Sequence, residues 1–302
     1  MGPDLPVAFL LGAPRSGTSL VYKGLCLHQE AAWISNWVRR WPGAPPLAML
    51  NRVAARAPRM QREVWFGSDS NAYVYGRTRL LKERVFPMPV EGEPVFVRST
   101  GPAGAGEEDP ALNLRRALGA IGKWAGGRVF VNKRIGNNRR IPLLLEAFPK
   151  ARFVEIVRDG RAVAYSLSRV NWWLDDTVWW YGGTPRRWEA EGGDPWELCA
   201  RSWVEETGAI EAGRGAVPPA QVLRLKYEAF LADPLGSFGE VGSFCGLGED
   251  PGWMHRLREL SYPNRNETWS RALDDAQITT IERIQGPTLG RYGYALHDRR
   301  FE

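Results

Sequence analysis

The stretch VAFLLGAPRSGTSLVYKGL, residues 7–25, decides how this chain is interpreted. Residues 7–11 are apolar, as in a strand that is buried on both faces of a parallel sheet. Residues 12–18 turn the chain sharply, and residues 19–27 resume helical spacing. A strand, a loop bounded by glycines and a helix bring backbone N–H groups and the positive end of the helix dipole to one point. The stretch therefore predicts an anion site.

The loop GAPRSGTS nearly matches the G-x-x-x-x-G-K-[ST] pattern of nucleoside triphosphatases. Gly12 and Gly17 are correctly spaced, and Ser19 stands where the magnesium-binding hydroxyl would be. The required lysine is replaced by Thr18, and the cation lies inside the loop as Arg15. Without that lysine, a triphosphatase would lack the charge that grips its β- and γ-phosphates. The loop thus favours another phosphate ligand, with a nucleotide kinase or triphosphatase as the alternative.

The same loop resembles the 5′-phosphosulfate loop of sulfotransferases that use 3′-phosphoadenosine 5′-phosphosulfate (PAPS). A phosphosulfate ligand would use Arg15 at its bridging oxygen and the hydroxyls of Thr18 and Ser19 on its phosphate. Cofactor binding is thereby assigned to Gly12, Pro14, Arg15, Ser16, Gly17, Thr18 and Ser19. The alternative interpretation is a turn between strand and helix that binds nothing.

A second strand-to-helix corner lies in FVEIVRDGRAVAYSLSR, residues 153–169. Arg158 closes the strand, Asp159 is placed to cap the following helix, and Ser166 lies about two turns into it. A guanidinium and a hydroxyl suit a phosphomonoester. The stretch is similar to the sulfotransferase segment that holds the 3′-phosphate of PAPS, which assigns that role to Arg158 and Ser166. The alternative is a local Arg158–Asp159 ion pair that only caps the helix.

Two further blocks resemble tyrosylprotein sulfotransferases and their bacterial relatives. The first, VNKR (131–134), carries Lys133, which by this resemblance lies near the reacting sulfate. The second, LKYEAFLADPLGSFGEVGSFCGL (225–247), carries Tyr227, which by the same resemblance lies near the nucleotide. A core tyrosine is the alternative for Tyr227. The resemblance implies PAPS as co-substrate and a P-loop-like sulfotransferase architecture, and it does not extend to residues 33–127.

Strand-like and helix-like segments alternate along the chain, which favours a parallel sheet with its ligand crevice at the carboxyl ends of the strands. We expect an α/β, three-layer fold with a central parallel sheet flanked by helices. Strands are predicted at 7–11, 128–132, 153–157 and 222–225, and helices at 19–27, 107–124, 141–148, 160–170 and 234–244. Four candidate residues lie at or just beyond strand ends: Gly12, Lys133, Arg158 and Tyr227.

Length and composition are those of a globular protein, with 302 residues, 44% of them hydrophobic and 25% charged. We expect one domain over residues 1–302, with residues 33–127 as an insertion that forms an acceptor pocket or a lid. The net charge of +6 suits an anionic ligand. Because the arginines form scattered pairs and no long basic tract, we expect no nucleic-acid partner.

The three cysteines, Cys26, Cys199 and Cys245, are odd in number and far apart. We therefore expect buried thiols, with neither a disulfide framework nor a zinc site. No carboxylates and histidines cluster with metal-ligand spacing, and we expect no metal. No apolar stretch of about 18 residues and no secretory leader are found, so we expect a cytoplasmic protein without a transmembrane segment. The oligomeric state is not predicted.

Sulfuryl transfer needs a base for the acceptor proton and positive charge at the leaving oxygen. Arg15, Lys133 and the N–H groups of the loop supply the charge in this interpretation. Many relatives place a glutamate about 21 residues after the loop arginine, but that position is Asn36 here, and an amide does not accept the proton usefully. The remaining candidates for the base are Glu91, His28 and Asp69, of which Glu91 and His28 are preferred.

Seven of the 14 tryptophans fall between residues 172 and 203. This density just beyond the nucleotide helix predicts aromatic walls for a small-molecule, glycan or lipid acceptor. Core packing is the alternative and is favoured for Trp196 and Trp203. Both interpretations stay open for Trp172, Trp173, Trp179 and Trp180. A third functional hypothesis, prompted by Asn36, is an inactive protein that binds a nucleotide or a glycan.

Overall fold

The computed structural model describes residues 5–67, 81–101 and 109–296. Its strands are β1 Val7–Leu11, β2 Ala31–Ala32, β3 Val129–Lys133, β4 Arg152–Val157 and β5 Val222–Lys226. They form one parallel sheet in the order β2-β3-β1-β4-β5. The predicted α/β fold is confirmed, and all four predicted strands lie within one residue of their expected bounds. Only β2 was not predicted, because two alanines carry no periodic pattern.

The described ranges contain α-helices of very different lengths. Their bounds are α1 Thr18–Cys26, α2 Asn36–Arg40, α3 Leu50–Ala55, α4 Pro58–Phe66, α5 Leu81–Val85, α6 Glu93–Thr100, α7 Pro110–Ala125, α8 Ile141–Ala147, α9 Gly160–Ser168, α10 Pro185–Ala190, α11 Pro195–Arg214, α12 Tyr227–Ala232, α13 Pro234–Cys245, α14 Pro251–Arg258, α15 Thr268–Ala272 and α16 Asp275–Arg291. Short 3-10 turns lie at Pro45–Met49, Ile135–Arg139, Trp173–Asp175 and Pro219–Gln221. None of these helices is both long and apolar enough to cross a membrane.

The helices cover both faces of the sheet. α1 packs against α13, whereas α7, α8, α9, α11 and α16 pack against one another. Right-handed crossovers between parallel strands place these two groups on opposite faces. Every residue of β1 and of β3 is buried, as expected for strands that are covered on both sides. The predicted three-layer arrangement is therefore confirmed.

The insertion at residues 33–127 packs into the same hydrophobic core as the sheet. Trp65 and Phe96 of the insertion are fully buried in that core, as is Phe9 of β1. Phe9 in turn lies 5.8 Å from Phe153 of the neighbouring strand, measured between ring centroids. The insertion and the sheet thus share one apolar interior.

The three cysteines, Cys26, Cys199 and Cys245, are buried as separate thiols, as the sequence predicts. Burial raises the pKa of the Cys199 and Cys245 thiols to about 12, because the apolar interior disfavours the thiolate. The thiolate is the reactive form of cysteine, so these side chains act as small apolar packing groups.

Helices α1 and α13 approach each other closely at Gly24. A Cβ atom on Gly24 would lie 2.2 Å from Cζ of Phe238, far inside van der Waals contact. The carbonyl of Gly24 also accepts a 2.7 Å hydrogen bond from Nε1 of Trp253. The missing side chain therefore sets the distance between α1, which begins at the glycine loop, and the helix that supports it.

The substitution Gly24→Ala is expected to lower the free energy of unfolding by about 1–3 kcal/mol, because the new methyl group overpacks the contact with Phe238. Chemical denaturation measures this change. The control is Gly239→Ala on α13, where nothing lies within 4 Å of the added atom. Helix propensity predicts a gain of up to about 1 kcal/mol there. Equal effects of the two substitutions would contradict the close packing at Gly24.

Candidate active site

The side chain of Asn138 fixes the conformation of the glycine loop after β1. The N–H of Gly12 donates to Oδ1 of Asn138 at 3.2 Å, and Nδ2 of Asn138 donates to the carbonyl of Gly12 at 3.1 Å. Gly12 has a φ of 152°, and a Cβ atom there would lie 2.6 Å from the carbonyl oxygen of Ile156. Arg15, with a φ of 71°, is the one non-glycine residue in the described ranges with a positive φ. The chain thus adopts a strained, fixed turn at this point.

Helix α1 begins at this loop without a side-chain cap, because its N-cap residue is Gly17. In the part of the chain that the structure describes, no protein acceptor receives the N–H groups of Gly17, Thr18 or Ser19. The Ser16 hydroxyl is buried and also has no hydrogen-bond partner there. Unmatched donors at the positive end of a helix fit a bound anion.

The other loop residues differ in how far they are exposed. Pro14 and Thr18 are buried with Ser16, whereas Arg15 and Ser19 are partly exposed. The methyl group of Thr18 lies against Gly12, since a Cβ atom on Gly12 would be 2.8 Å from it. The accessible groups of the loop are thus the Arg15 side chain, the Ser19 hydroxyl and the backbone at Gly17.

The second corner, after β4, meets the first through Arg158. Its Nη1 donates to the carbonyl of Arg15 at 2.9 Å, and its Nε donates to Oδ1 of Asn266 at 2.8 Å. The guanidinium lies 4.9 Å from the centroid of the Tyr227 ring. Among the described residues, no carboxylate forms an ion pair with Arg158. Burial lowers its pKa, and the nearby Arg15 charge acts in the same direction.

Ser166 joins the two corners from the side of α9. Its hydroxyl accepts a 2.9 Å hydrogen bond from Nε of Arg15. The sequence assigns Arg15 and Ser166 to different ends of a nucleotide, and the structure places their side chains in direct contact. Arg15, Arg158 and Ser166 therefore belong to one continuous polar surface at the carboxyl edge of the sheet.

Asp159 does not pair with Arg158, so the alternative interpretation of a local ion pair is wrong. Its carboxylate accepts from the backbone N–H of Arg161 at 2.9 Å and from Nη2 of Arg161 at 2.7 Å. Arg161 continues to Glu282 through a 2.6 Å ion pair. Because Asp159 already caps α9, the anion-binding capacity of this corner comes from Arg158 and not from the helix terminus.

Tyr227 packs under both corners. A Cβ atom on Gly17, whose φ is 88°, would lie 2.4 Å from the Tyr227 ring. The ring also stacks on Phe230 at 6.1 Å between centroids. Burial raises the pKa of Tyr227, so its hydroxyl stays protonated at neutral pH. The residue is half-buried, so its exposure is intermediate between that of a core side chain and that of a side chain that faces a ligand.

Lys133 and Glu91 form a buried ion pair at the end of β3. Lys133 is 1% exposed and Glu91 is 8% exposed. The neighbouring Asn132 donates from Nδ2 to the carbonyl of Glu91 at 3.3 Å. A buried pair needs such additional bonds to offset the loss of hydration. The structure therefore brings together two candidate catalytic residues that are 42 positions apart in the sequence.

The other candidate bases lie elsewhere. His28 follows the far end of α1, roughly 15 Å along the helix from the loop. Its Nε2–H donates to the carbonyl of Gly248 at 2.9 Å, while Nδ1 accepts from the N–H of Glu30 at 3.1 Å. Both ring nitrogens are thus engaged in structural hydrogen bonds, one across the turn after α1 and one to Gly248, which is 220 positions away. Asp69 lies outside the described residues.

Asn36 ties the start of α2 to the segment before Glu91. Its Oδ1 accepts from the N–H of Met88 at 3.2 Å, and its Nδ2 donates to the carbonyl of Phe86 at 3.0 Å. The backbone N–H of Asn36 donates to the carbonyl of Met88 at 3.1 Å. The amide at this position therefore stabilises the insertion.

Several residues of the site were not predicted from the sequence. Asn138 anchors the loop, and its Nδ2 also donates to the buried carboxylate of Glu206 at 2.7 Å. Asn266 holds Arg158 and donates to Glu228 at 2.9 Å. Burial raises the pKa of Glu206, and Arg139, 2.9 Å away, opposes that rise. The asparagine pair in IGNNR beside VNKR was the available signal for Asn138.

The tryptophans of residues 172–203 divide between core and surface. Trp203 is 1% exposed and Trp173 is 6% exposed, so both are packing residues. Trp179 is 41% exposed, and its Nε1 donates to Glu206 at 3.0 Å. The guanidinium of Arg139 lies 4.7 Å from its ring centroid. Trp179 therefore presents an exposed aromatic ring, and hydrogen bonds through Glu206 and Asn138 connect it to the glycine loop.

A parallel sheet that gathers a glycine loop, two arginines and a lysine at its carboxyl edge defines a P-loop-like architecture whose polar edge suits a phosphorylated ligand. The sequence model of the sulfotransferase family matches residues 6–251. The chain belongs to this family, which confirms the resemblance found in its motifs.

Curated relatives include the omega-hydroxy-beta-dihydromenaquinone-9 sulfotransferase Stf3 of Mycobacterium tuberculosis and of Mycobacterium bovis. Each is 29% identical to this chain over 159 residues. The matched region is 52% of this chain and 39% of the relative, so the chain corresponds to well under half of that protein.

Solved structures with the same fold include two mycobacterial sulfotransferases. STF9 from Mycobacterium avium is 16% identical, with a TM-score of 0.61 over 99% of this chain and 79% of that chain. STF1 from Mycobacterium tuberculosis is 15% identical, with a TM-score of 0.59 over 95% of this chain and 77% of that chain. At these identities, the likeness establishes the sulfotransferase fold alone.

The substitution Gly17→Ala is expected to destabilise the loop through two effects. The φ of 88° disfavours any Cβ by about 1–2 kcal/mol, and the clash with Tyr227 adds about 1–3 kcal/mol. Gly192→Ala is the matched control, because Gly192 has a φ of 85° and nothing within 4 Å. Urea unfolding of both variants should show a clearly larger loss for Gly17→Ala. If Gly17→Ala lowers the free energy of unfolding as much in a Tyr227→Ala background as in the unchanged protein, the ring is not the cause of the loss.

Proposed function

We propose that this protein is a sulfotransferase that moves the sulfuryl group of PAPS to a hydroxyl of an acceptor by in-line displacement. The observation that carries the proposal is the contact between the two anion-binding corners, where Arg158 bonds to the carbonyl of Arg15 and Arg15 bonds to Ser166. A nucleotide with one phosphate group at each end of its ribose needs two such corners close together. Family membership and the fold support the same conclusion.

The loop and the second corner would hold opposite ends of the nucleotide. The phosphosulfate would lie on the free N–H groups of Gly17, Thr18 and Ser19, with the Arg15 guanidinium beside it. The 3′-phosphate would lie on Arg158 and Ser166. When bound, PAPS supplies the activated sulfuryl group. Pro14 and Ser16 would shape the loop, Gly12 would keep it close to β4, and Tyr227 would pack beneath it.

Glu91 is the base that the geometry favours, and Lys133 holds it. The pair lies at the carboxyl end of β3, the strand next to β1, so it faces the same edge of the sheet as the loop. Lys133 would stabilise charge on the transferring group, while Glu91 would accept the proton of the acceptor hydroxyl. His28 is not brought to this edge, and the Asn36 amide is used for structure.

The acceptor is proposed to be a small molecule, a lipid or a glycan that enters between the insertion and the tryptophan segment. Residues 33–127 would form its pocket or lid within a single domain, since they supply Glu91. Trp179 offers an exposed ring for the acceptor to pack against. The curated relative carries a menaquinone-derived lipid in its name, which supports a lipid acceptor for this chain.

Nucleotide binding is tested by calorimetry with 3′-phosphoadenosine 5′-phosphate (PAP), the product that PAPS leaves behind. Arg15→Ala and Arg158→Ala should each weaken PAP binding by about 10- to 100-fold, because each removes a charged donor to a phosphate. Arg283→Ala on α16, an exposed arginine far along the chain, should leave the affinity unchanged.

Comparison with ADP and ATP separates this proposal from its alternatives. PAP should bind far more tightly than either, because Thr18 stands where a kinase or triphosphatase needs lysine. Equal affinity for ATP together with ATP turnover would establish the kinase alternative instead. Tight PAP binding without transfer to any acceptor in a broad panel would indicate an inactive binding protein.

The role of the base is tested by Glu91→Gln, which should lower kcat by about 10²- to 10⁴-fold on an alkyl alcohol. The loss should be much smaller on a nitrophenol, which ionises readily and needs little help in losing its proton. Glu93→Gln is the matched control, because Glu93 is also ion-paired, with Arg134 and Arg140 and not with Lys133. An equal loss on both acceptors would show that Glu91 only positions Lys133.

A further inference from the structure

The insertion carries most of the large apolar side chains that the described residues expose to solvent. Nine of the eleven lie between residues 33 and 127, which make up about a third of the chain, whereas the other two are Trp179 and Leu296. Those in the insertion are Trp41, Met49, Val53, Met60, Leu81, Val85, Val97, Leu112 and Trp124. The insertion therefore exposes a larger share of large apolar side chains than the rest of the described chain.

The same part of the chain is strongly basic. Residues 33–67 contain six arginines and no lysine, against a single acidic residue, Glu63. This one segment has a formal charge of +5, compared with +6 for the whole protein. Among the described residues, only Arg62 of these six arginines is in an ion pair, with Glu259. The positive charge is therefore available to an external partner.

Five side chains of the insertion form a compact surface, which we call the Trp–Arg face: Trp37, Arg40, Trp41, Val85 and Arg98. The rings of Trp37 and Trp41 stack with centroids 5.5 Å apart, and the Arg40 guanidinium lies 5.4 Å from the Trp41 ring. Nε1 of Trp37 donates to the carbonyl of Val85 at 2.8 Å. Arg98 lies over Gly43, just beyond Trp41, where a Cβ atom would be 3.3 Å from Cζ of Arg98.

The Trp–Arg face is joined directly to the proposed base. The segment after Val85 runs along the start of α2, where Phe86 and Met88 bond to Asn36. It continues through a bridge between Pro89 and Ser35 to Glu91. Glu91 is six positions after Val85, which limits the distance between their Cα atoms to roughly 20 Å. A molecule bound to this face therefore lies close enough to the candidate base for an extended lipid to span the distance.

We propose that the Trp–Arg face docks the protein onto an anionic lipid bilayer, so that a lipid acceptor passes from the bilayer to Glu91. Tryptophan and aliphatic side chains insert at the boundary between headgroups and acyl chains, while arginines pair with lipid phosphates. The face offers both kinds of group side by side. The docking rests on this surface alone, and its link to a lipid acceptor rests on the proposed sulfotransferase function.

Vesicle co-sedimentation tests the docking without any assay of sulfate transfer. The full chain should sediment with phosphatidylcholine vesicles that contain about 30% phosphatidylglycerol and much less with pure phosphatidylcholine. Raising the salt concentration should weaken the binding, because it screens the arginines. The double variant Arg40→Glu/Trp41→Ser should lower the partition coefficient by about tenfold or more.

The matched control is Arg258→Glu/Leu296→Ser, which changes an exposed arginine and an apolar residue as exposed as Trp41, both outside the insertion. It should bind vesicles like the unchanged protein, and circular dichroism should show that both variants are folded. Equal sedimentation of the two double variants would overturn the proposal. So would a dimer that only Arg40→Glu/Trp41→Ser dissociates, since the face would then be a contact between copies.

Activity separates the docking from the proposed function. Arg40→Glu/Trp41→Ser should sulfate a water-soluble phenol at the normal rate but lose activity on a long-chain prenol embedded in anionic vesicles. If this variant and the control are equally active on the embedded prenol, the proposal that docking delivers a lipid acceptor from the bilayer to Glu91 is overturned. A protein that binds vesicles and transfers no sulfate would refute the proposed function and leave the docking intact. Binding to nucleic acid but not to vesicles would refute the docking.

Discussion

A hydrogen bond from the guanidinium of Arg158 to the carbonyl of Arg15 joins the two corners on which the proposed nucleotide site depends. It forms because β1 and β4 are adjacent in the sheet and both end at the same edge. Arg15 accepts this bond in a left-handed conformation that ordinarily costs about 1–2 kcal/mol. Burial is the main cause of the lowered pKa of Arg158, and repulsion from the Arg15 charge adds to it. A bound dianion would relieve that repulsion, so the arrangement favours a phosphorylated ligand.

The parts of this site that follow strand ends were predictable from the sequence. Short apolar runs identified β1 and β4, and the residue after each run belongs to the site by the geometry of parallel sheets. Gly12, Lys133, Arg158 and Tyr227 all lie at or just beyond such ends, although the roles of Lys133 and Tyr227 came from the family resemblance. The pairing of Glu91 with Lys133 was not predicted, because the resemblance placed Lys133 and local composition alone suggested Glu91. Their side chains meet only when the insertion folds onto β3.

What the sequence did not predict depends on contacts between distant residues. Asn138 reaches the loop across 126 positions, and Asn266 reaches Arg158 across 108. The asparagine pair beside VNKR is a weak signal for Asn138, and no comparable signal exists for Asn266, so their roles are shown by the folded chain. The 20-residue helix α11 was not predicted for another reason: its buried stripe contains Ser202, Glu206 and Thr207, so the apolar periodicity of the sequence is weak there. His28 has suitable chemistry for a base, yet the length of α1 separates it from the loop.

Asn36 shows how one position can exchange a chemical role for an architectural one. Its side-chain oxygen and nitrogen both engage the backbone around Phe86 and Met88, the stretch that leads to Glu91. The side chain of a glutamate at position 36 has no N–H group to donate to the carbonyl of Phe86. It would therefore loosen the segment that leads to Glu91. In this fold, a structural amide at position 36 and a carboxylate base at the same position therefore exclude each other.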